Sequence, residues 1–213
     1  MRAAPLAAIA IAAILAAPAQ AAKLSSVSGT INYIADQGER NDVRVGVKQL
    51  LGMPVYTFTD NDATPIETVA GACELVNGVG MCTQLGVQNM NVDVRDKDDT
   101  IQISVAGEDG LPAPAIPTVL IGGRGVDVIL GGLGPDKLKG NNGRDSLRGR
   151  KGADVHKGGR GSDTLQTLDG EADQVITCGD GRRDLVRLDP GVDPPARACE
   201  LGNHKSGRRG KRP

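Results

Sequence analysis

Between Gly122 and Gln166 the chain repeats itself every nine residues without losing register. The five blocks are GGRGVDVIL, GGLGPDKLK, GNNGRDSLR, GRKGADVHK and GGRGSDTLQ. Glycine opens each block and returns at the fourth place, and aspartate holds the sixth: Asp127, Asp136, Asp145, Asp154 and Asp163. A unit this short cannot bury a face by itself, so its copies must stack, each covering the next. The glycine-rich first six residues can adopt the positive φ of a tight turn, and the last three alternate around a large aliphatic at the eighth place. Each block therefore reads as a turn and a short strand. Ile129, Leu138, Leu147 and Leu165 supply the inward aliphatics, with His156 standing where a fifth is expected.

Stacking also brings one carboxylate per block into a row. Such a row repels itself unless a cation lies between its members. Calcium suits the place, because it takes six to eight oxygens at loose geometry and glycine turns leave backbone carbonyls free to complete the shell.

The pattern resembles the hemolysin-type calcium-binding repeat of the RTX family, whose consensus is GGxGxD followed by any residue, a large aliphatic and any residue. The resemblance implies an all-β fold, a parallel β-roll or β-helix solenoid in which two nonapeptides make one turn. It also implies Ca2+ between a block and the one two blocks on. The ligands would be the side chains of Asp127, Asp136, Asp145, Asp154 and Asp163 and glycine-loop carbonyls, here Gly123, Gly125, Gly132, Gly134, Asn141 and Gly143. About three well-formed sites are expected from five blocks.

Residues 1–21 read as a signal peptide. Met1 and Arg2 lead into the apolar run PLAAIAIAAILAAP, which ends at an A-x-A site, Ala19 to Ala21, with no basic stop-transfer flank. The expected location is therefore secreted and extracellular, with cell-surface association left open. In an oxidising compartment an even cysteine count suggests disulfides. Four cysteines permit three pairings; local pairing, Cys73 with Cys82 and Cys178 with Cys199, is favoured. Zinc binding or a thiol nucleophile is disfavoured at these cysteines, since no CxxC occurs and neither histidine lies near one.

Ahead of the repeats, residues 22–117 alternate apolar and polar, as in Val43, Val45 and Val47, Val92 and Val94, and Ile101, Ile103 and Val105. This is the pattern of half-buried strands, and the region reads as a β-rich N-terminal cap. Asp99, Thr100 and Ile101 copy the aspartate-to-aliphatic end of a nonapeptide, either as a degenerate turn or as a solvated acidic loop. A Gly- and Pro-rich loop, 107–118, joins the cap to a β-roll assigned to 118–201. There DGEADQVIT and CGDGRRDLV keep Asp173 before Val175 and Asp184 before Leu185 in an irregular closing cap. Residues 202–213 should form a disordered basic tail, able to meet an anionic cell-surface polymer or to act as a solubilising end.

Charge tempers the calcium expectation. Residues 23–121 carry 6 basic and 13 acidic groups, whereas the perfect repeats carry 9 basic and 5 acidic. Repulsion over a screening length of about 8 Å predicts weak sites, in the range of about 0.1 to 1 mM that extracellular modules use. Block four departs furthest: Arg150 replaces its second glycine and His156 its aliphatic. Sites using Asp154 are thus the weakest expected, and a lone inward imidazole in a decayed repeat reads as tolerated more than as a ligand. Asn141 also departs, but asparagine accepts left-handed backbone.

With His156 and His204 as the only histidines, HExxH is absent and a Ser-His-Asp triad has almost no candidate; GxSxG and phosphate-binding loops are absent too. The expectation is a secreted, non-catalytic calcium-binding protein. The alternatives are a β-helical carbohydrate-active enzyme of the polysaccharide-lyase kind and a metal-independent surface adhesin.

Overall fold

The computed structural model describes residues 21–62, 65–106, 113–181 and 183–201. The basic tail and, up to residue 20, the expected signal peptide lie outside the described residues. The fold is all-β. The N-terminal region supplies β1 (Lys23–Val27), β2 (Thr30–Ile34), β3 (Asp42–Leu50), β4 (Met53–Asp60), β5 (Glu67–Ala70), β6 (Cys73–Val76), β7 (Val79–Thr83), β8 (Asn89–Asp93) and β9 (Thr100–Ile103). The repeats supply β10 (Thr118–Arg124), β11 (Val128–Leu130), β12 (Asp136–Asn142), β13 (Ser146–Arg148), β14 (Val155–Arg160) and β15 (Thr164–Gln166). The closing segment supplies β16 (Val175–Gly179), β17 (Leu185–Arg187) and β18 (Glu200–Leu201).

These strands form two facing sheets. One is eight-stranded, in the order β16-β14-β12-β10-β8-β2-β1-β5, and the other ten-stranded, β18-β17-β15-β13-β11-β9-β3-β4-β7-β6. From β2 onward the coil gives alternate strands to each sheet, and every pairing along it is parallel. The chain is thus a parallel β-roll. The phase of the nonapeptides becomes regular only near residue 118, yet the parallel ladder already runs through β2, β3, β8 and β9. The remaining N-terminal strands fold over the open end as antiparallel hairpins, β1 with β2 and β3-β4-β7-β6.

A ladder of parallel strands at constant register stacks like on like. Val43, Ile101, Ile129, Leu147, Leu165 and Val186 form one buried column, each about 1.5 to 3 kcal/mol of apolar burial for a side chain of this size. Tyr33, Val92, Leu120, Leu138, His156 and Ile176 form the column facing it. The cap has the aromatics: Phe58 stacks on Tyr33 with ring centroids 6.3 Å apart.

The register corrects three expectations. Val105 is exposed rather than half-buried, because β9 ends at Ile103. In the closing turns the inward residues are Ile176 and Val186, at 1% exposure each, whereas Val175 and Leu185 face outward at 40% and 48%. After Asp173 an inserted residue displaces the strand relative to the aspartate, whereas Val186 keeps the two-residue spacing from Asp184 that Leu165 has from Asp163; parallel pairing, Ile176 to His156 and Val186 to Leu165, decides which side chain enters the core. Both local disulfides are present. Cys73–Cys82 joins directly opposed residues of β6 and β7, and Cys178–Cys199 ties β16 to the final segment. The latter closes a loop of 21 residues, worth about 3 kcal/mol through the entropy of the unfolded chain.

Candidate metal centre

Each block makes one bend and one strand, so successive blocks turn at opposite edges of the coil. Blocks one, three and five round the first edge, placing Asp127, Asp145 and Asp163 there; blocks two and four place Asp136 and Asp154 on the second edge. The nonapeptide period in the sequence thus becomes an eighteen-residue period along each edge.

At the first edge the aspartates interlock. The backbone N–H of Asp99 donates to Asp127 Oδ1 at 3.0 Å, that of Asp127 to Asp145 Oδ1 at 3.0 Å, that of Asp145 to Asp163 Oδ1 at 2.9 Å, and that of Asp163 to Asp184 Oδ1 at 2.8 Å. Asn41 N–H closes the column on Asp99 Oδ1 at 2.7 Å. One oxygen of each carboxylate is therefore committed to holding the next turn. The other is not: Oδ2 of Asp99, Asp127, Asp145 and Asp163 is buried with no hydrogen-bond partner. First-place glycine makes room for it, since a Cβ at Gly122, Gly140 or Gly158 would strike the Oδ2 of Asp127, Asp145 or Asp163 respectively.

Burial without a second partner favours the neutral acid. It pushes Asp99, Asp127 and Asp145 up to about 7, opposed by the backbone N–H that each Oδ1 accepts and reinforced by neighbouring carboxylates. Asp163 is raised for the same reason. The backbone carbonyls of Gly125, Asn141 and Gly143 rest against the Cα atoms of Gly143, Gly159 and Gly161 one turn on, where any Cβ would collide with them. Left-handed φ recurs at second and fourth places along this edge: 112° and 137° at Gly123 and Gly125, 76° and 142° at Asn141 and Gly143, 121° and 137° at Gly159 and Gly161. A row of orphaned buried carboxylate oxygens beside stacked glycine carbonyls is a donor set of hard oxygens, which fits a hard divalent cation.

A family model described as RTX calcium-binding nonapeptide repeat (4 copies) matches residues 121–155 and 130–165. These are RTX calcium-binding repeats. The match lies within the nonapeptide segment; no curated protein and no solved structure matches the chain.

The RTX repeats at the second edge differ from those at the first. Asp136 Oδ1 accepts from Thr118 Oγ1 at 2.6 Å and from Thr118 N–H at 3.2 Å, and its Oδ2 accepts from Gly132 N–H at 2.6 Å. With both oxygens served, burial raises it only to about 6. Gly131, Gly132 and Gly134 all lack positive φ, so block two does not make the bend its relatives make. Its described neighbours below are the backbone of Pro114, Ala115 and Ile116, none of which has a positive φ. In block four Arg150 takes the left-handed place at φ 71° and sends its guanidinium back, Nη1 donating to the carbonyls of Ile103 at 2.7 Å and Gly131 at 3.0 Å. A fixed positive charge thus stands at the edge where Asp136 and Asp154 were expected to bind calcium. Asp154 is pushed up to about 8 by burial; its Oδ1 accepts from Asp136 N–H at 2.8 Å and its Oδ2 is unpartnered.

Sequence reading did not include Asp173, Asp184 or Asn41 among the site residues, and it left Asp99 open. The turn 95–99 has the first-edge backbone without its glycines, with Arg95 at φ 66° and Lys97 at φ 87° in the places of Gly123 and Gly125. Only the sequence Asp99-Thr100-Ile101 betrays it. Asp173 and Asp184 are hidden by the inserted residues that break the nine-residue spacing.

Proposed function

We propose that this is a secreted, non-catalytic protein whose β-roll is completed by Ca2+ held between stacked turns, chiefly at the first edge. The observation that carries this reading is the column of buried, unpartnered Oδ2 atoms on Asp99, Asp127, Asp145 and Asp163. Calcium would supply the positive charge that this column lacks, with Asp127, Asp145 and Asp163 as side-chain ligands and the turns of Gly123, Gly125, Asn141 and Gly143 as the source of carbonyls. The chain's own part is to hold each carboxylate by Oδ1 so that Oδ2 is fixed before any ion arrives. Asp136, Asp154, Gly132 and Gly134 contribute less, because Asp136 is already satisfied and Arg150 occupies their edge. Since the ligand column exists only when turns are stacked, binding stabilises the folded state alone, by about 2.7 kcal/mol at a hundredfold excess over Kd.

The two cross-links and the A-x-A leader support export. An open groove of about 660 Å3 on the face of the eight-stranded sheet mixes Arg95, Arg124 and Arg160 with Asp93 and Asp180, so it presents no single sign of charge to a polyanion.

Calcium titration by calorimetry, with circular dichroism in parallel, tests the proposal. The mature chain should take up Ca2+ and gain β signal, and the triple variant Asp127→Asn, Asp145→Asn, Asp163→Asn should do neither. Identical spectra in calcium and in chelator would sink it in favour of a metal-independent scaffold.

A further inference from the structure

His156 breaks the aliphatic column of the eight-stranded sheet, lying between Leu138 and Ile176 in register. Its ring is 0% exposed, and neither Nδ1 nor Nε2 has a hydrogen-bond partner. A buried, wholly unpartnered imidazole costs free energy, so its surroundings should contain what satisfies it. Two carboxylates converge on it. Asp154 and Asp173 are each fixed through Oδ1, Asp154 by Asp136 N–H at 2.8 Å and Asp173 by Asp154 N–H at 3.0 Å. Each leaves Oδ2 buried and unpartnered. Asp173 Oδ2 stands 3.2 Å from His156 Nε2 in a geometry that makes no hydrogen bond. One ligand atom from each of the three residues lies within 4.8 Å of the other two. The missing side chain of Gly149 leaves the space between them: a Cβ there would overlap Asp154 Oδ2 and stand 2.9 Å from His156 Nε2.

From this geometry we propose that Asp154, His156 and Asp173 form a separate binding site for a borderline divalent transition metal, with Zn2+ as the type ion. Two carboxylate oxygens and one imidazole nitrogen, all buried and pre-aimed, make a mixed N/O set. Imidazole suits zinc and its neighbours, whereas calcium takes oxygen alone. Zinc bonds of about 2.0 to 2.2 Å put tetrahedral ligands about 3.3 Å apart, the spacing already present between Nε2 and Asp173 Oδ2. Three protein ligands leave a fourth position for water or a backbone oxygen. Asp154, a calcium ligand by its place in the repeat, then serves a different ion. The site does not depend on the calcium reading, which rests on the other edge of the coil.

The test uses the mature full-length chain, stripped with chelator and then returned to saturating Ca2+, so that the coil is complete before zinc is added. Zn2+ is titrated by calorimetry and Co2+ by visible absorption. One equivalent should bind, and cobalt should show the strong d–d bands of a four-coordinate site. His156→Leu restores the aliphatic of the repeat and should fold; it should weaken zinc by more than about 100-fold and abolish the cobalt bands. Asp173→Asn should weaken zinc in the same direction, while His204→Ala, which removes the other histidine, should leave binding intact. The proposal is overturned if the wild type binds no zinc, which would make His156 and Asp173 a plain buried ion pair, or if His156→Leu binds zinc as the wild type does. Calcium titrations of the same stripped samples keep the two readings apart, because loss of zinc with calcium uptake intact counts against this site alone, and the converse counts against the calcium column alone.

Discussion

The two edges of this coil are built from the same nonapeptide and behave differently. At the first edge each turn sits on another of the same backbone, from Arg95 through Gly123, Asn141 and Gly159 to Gly179, and every carboxylate from Asp99 to Asp163 is left with one oxygen unserved. At the second edge block two, which pairs with block four, lacks the positive-φ bend. There Asp136 is satisfied by Thr118 and Gly132, Arg150 supplies a built-in cation, and His156 replaces an aliphatic. A repeat motif therefore does not make a site by itself. What makes it is an identical turn above and below, and Arg150 and His156 fall in block four, which stacks on the block that lacks the bend.

The difference should break most visibly at the fourth-place glycines. Gly143 has φ 142°, and a Cβ there would run into the carbonyl of Gly125. Gly143→Ala must displace backbone on both turns and should cost about 3 kcal/mol, read as a lower midpoint in urea denaturation. Gly134, on the second edge, has no positive φ, but its Cβ would meet the backbone of Ala115 and Ile116 at 2.6 to 2.7 Å. Gly134→Ala must also displace backbone but adds no left-handed strain, so it should cost less than Gly143→Ala, about 2 kcal/mol. Equal losses would mean that the edges do not differ.

Acidity offers a second contrast. In the folded coil Asp99, Asp127 and Asp145 hold protons up to about pH 7, whereas in the unfolded chain they release them near their ordinary value of 3.8. Between those limits the folded state binds more protons, so stability of the calcium-free protein falls as pH rises from about 4 to 7. Thermal melts in chelator should show Tm dropping across this window, with calcium restoring it most at pH 8, where it has no proton to displace. The first-edge triple Asn variant should make the chelator curve less steep, leaving the part contributed from the second edge by Asp154, raised to about 8, and Asp136, raised to about 6, and Asp136→Asn alone should change it less than the triple variant does.

A smaller effect separates single ligands. Asp145→Asn removes one of the unpartnered oxygens and should weaken calcium about tenfold, or about 1.4 kcal/mol. Asp136→Asn, whose two oxygens already have donors, should change calcium affinity less than about threefold in the same calorimetric titration.

Much of this was legible in the sequence, and what was not has physical causes. Nine-residue phase implied stacking and a row of carboxylates, and the resemblance to the hemolysin-type repeat implied the parallel coil with two nonapeptides to a turn. Phase is silent about which edge a block occupies until the strands are counted, and so about Arg150 reaching the carbonyl of Gly131. Spacing also fails where one residue is inserted. Asp173 lies nineteen residues after Asp154 in place of eighteen, and yet it accepts the same hydrogen bond. His156 looked like a tolerated defect because its partner belongs to that displaced turn.

The least regular first-edge turn gives the finest test. Residues 95–99 stack beneath the first perfect block, with Asp99 donating its N–H to Asp127 Oδ1 and Arg124 donating its N–H to the carbonyl of Arg95. Yet Lys97 is held at φ 87°, which a side chain with a Cβ resists by about 1 to 2 kcal/mol. Its side chain is exposed, so little packing is lost on removal. Lys97→Gly writes the repeat's own residue into that place and relieves the strain, less the extra entropy glycine has when unfolded, for a net gain of about 0.5 to 1 kcal/mol. A raised urea midpoint with unchanged calcium stoichiometry would mark 95–99 as a true turn of the coil, continuous with the repeats. A lowered midpoint would mean that the lysine stabilises this turn by contacts of its own, and the first edge would then begin at Gly122.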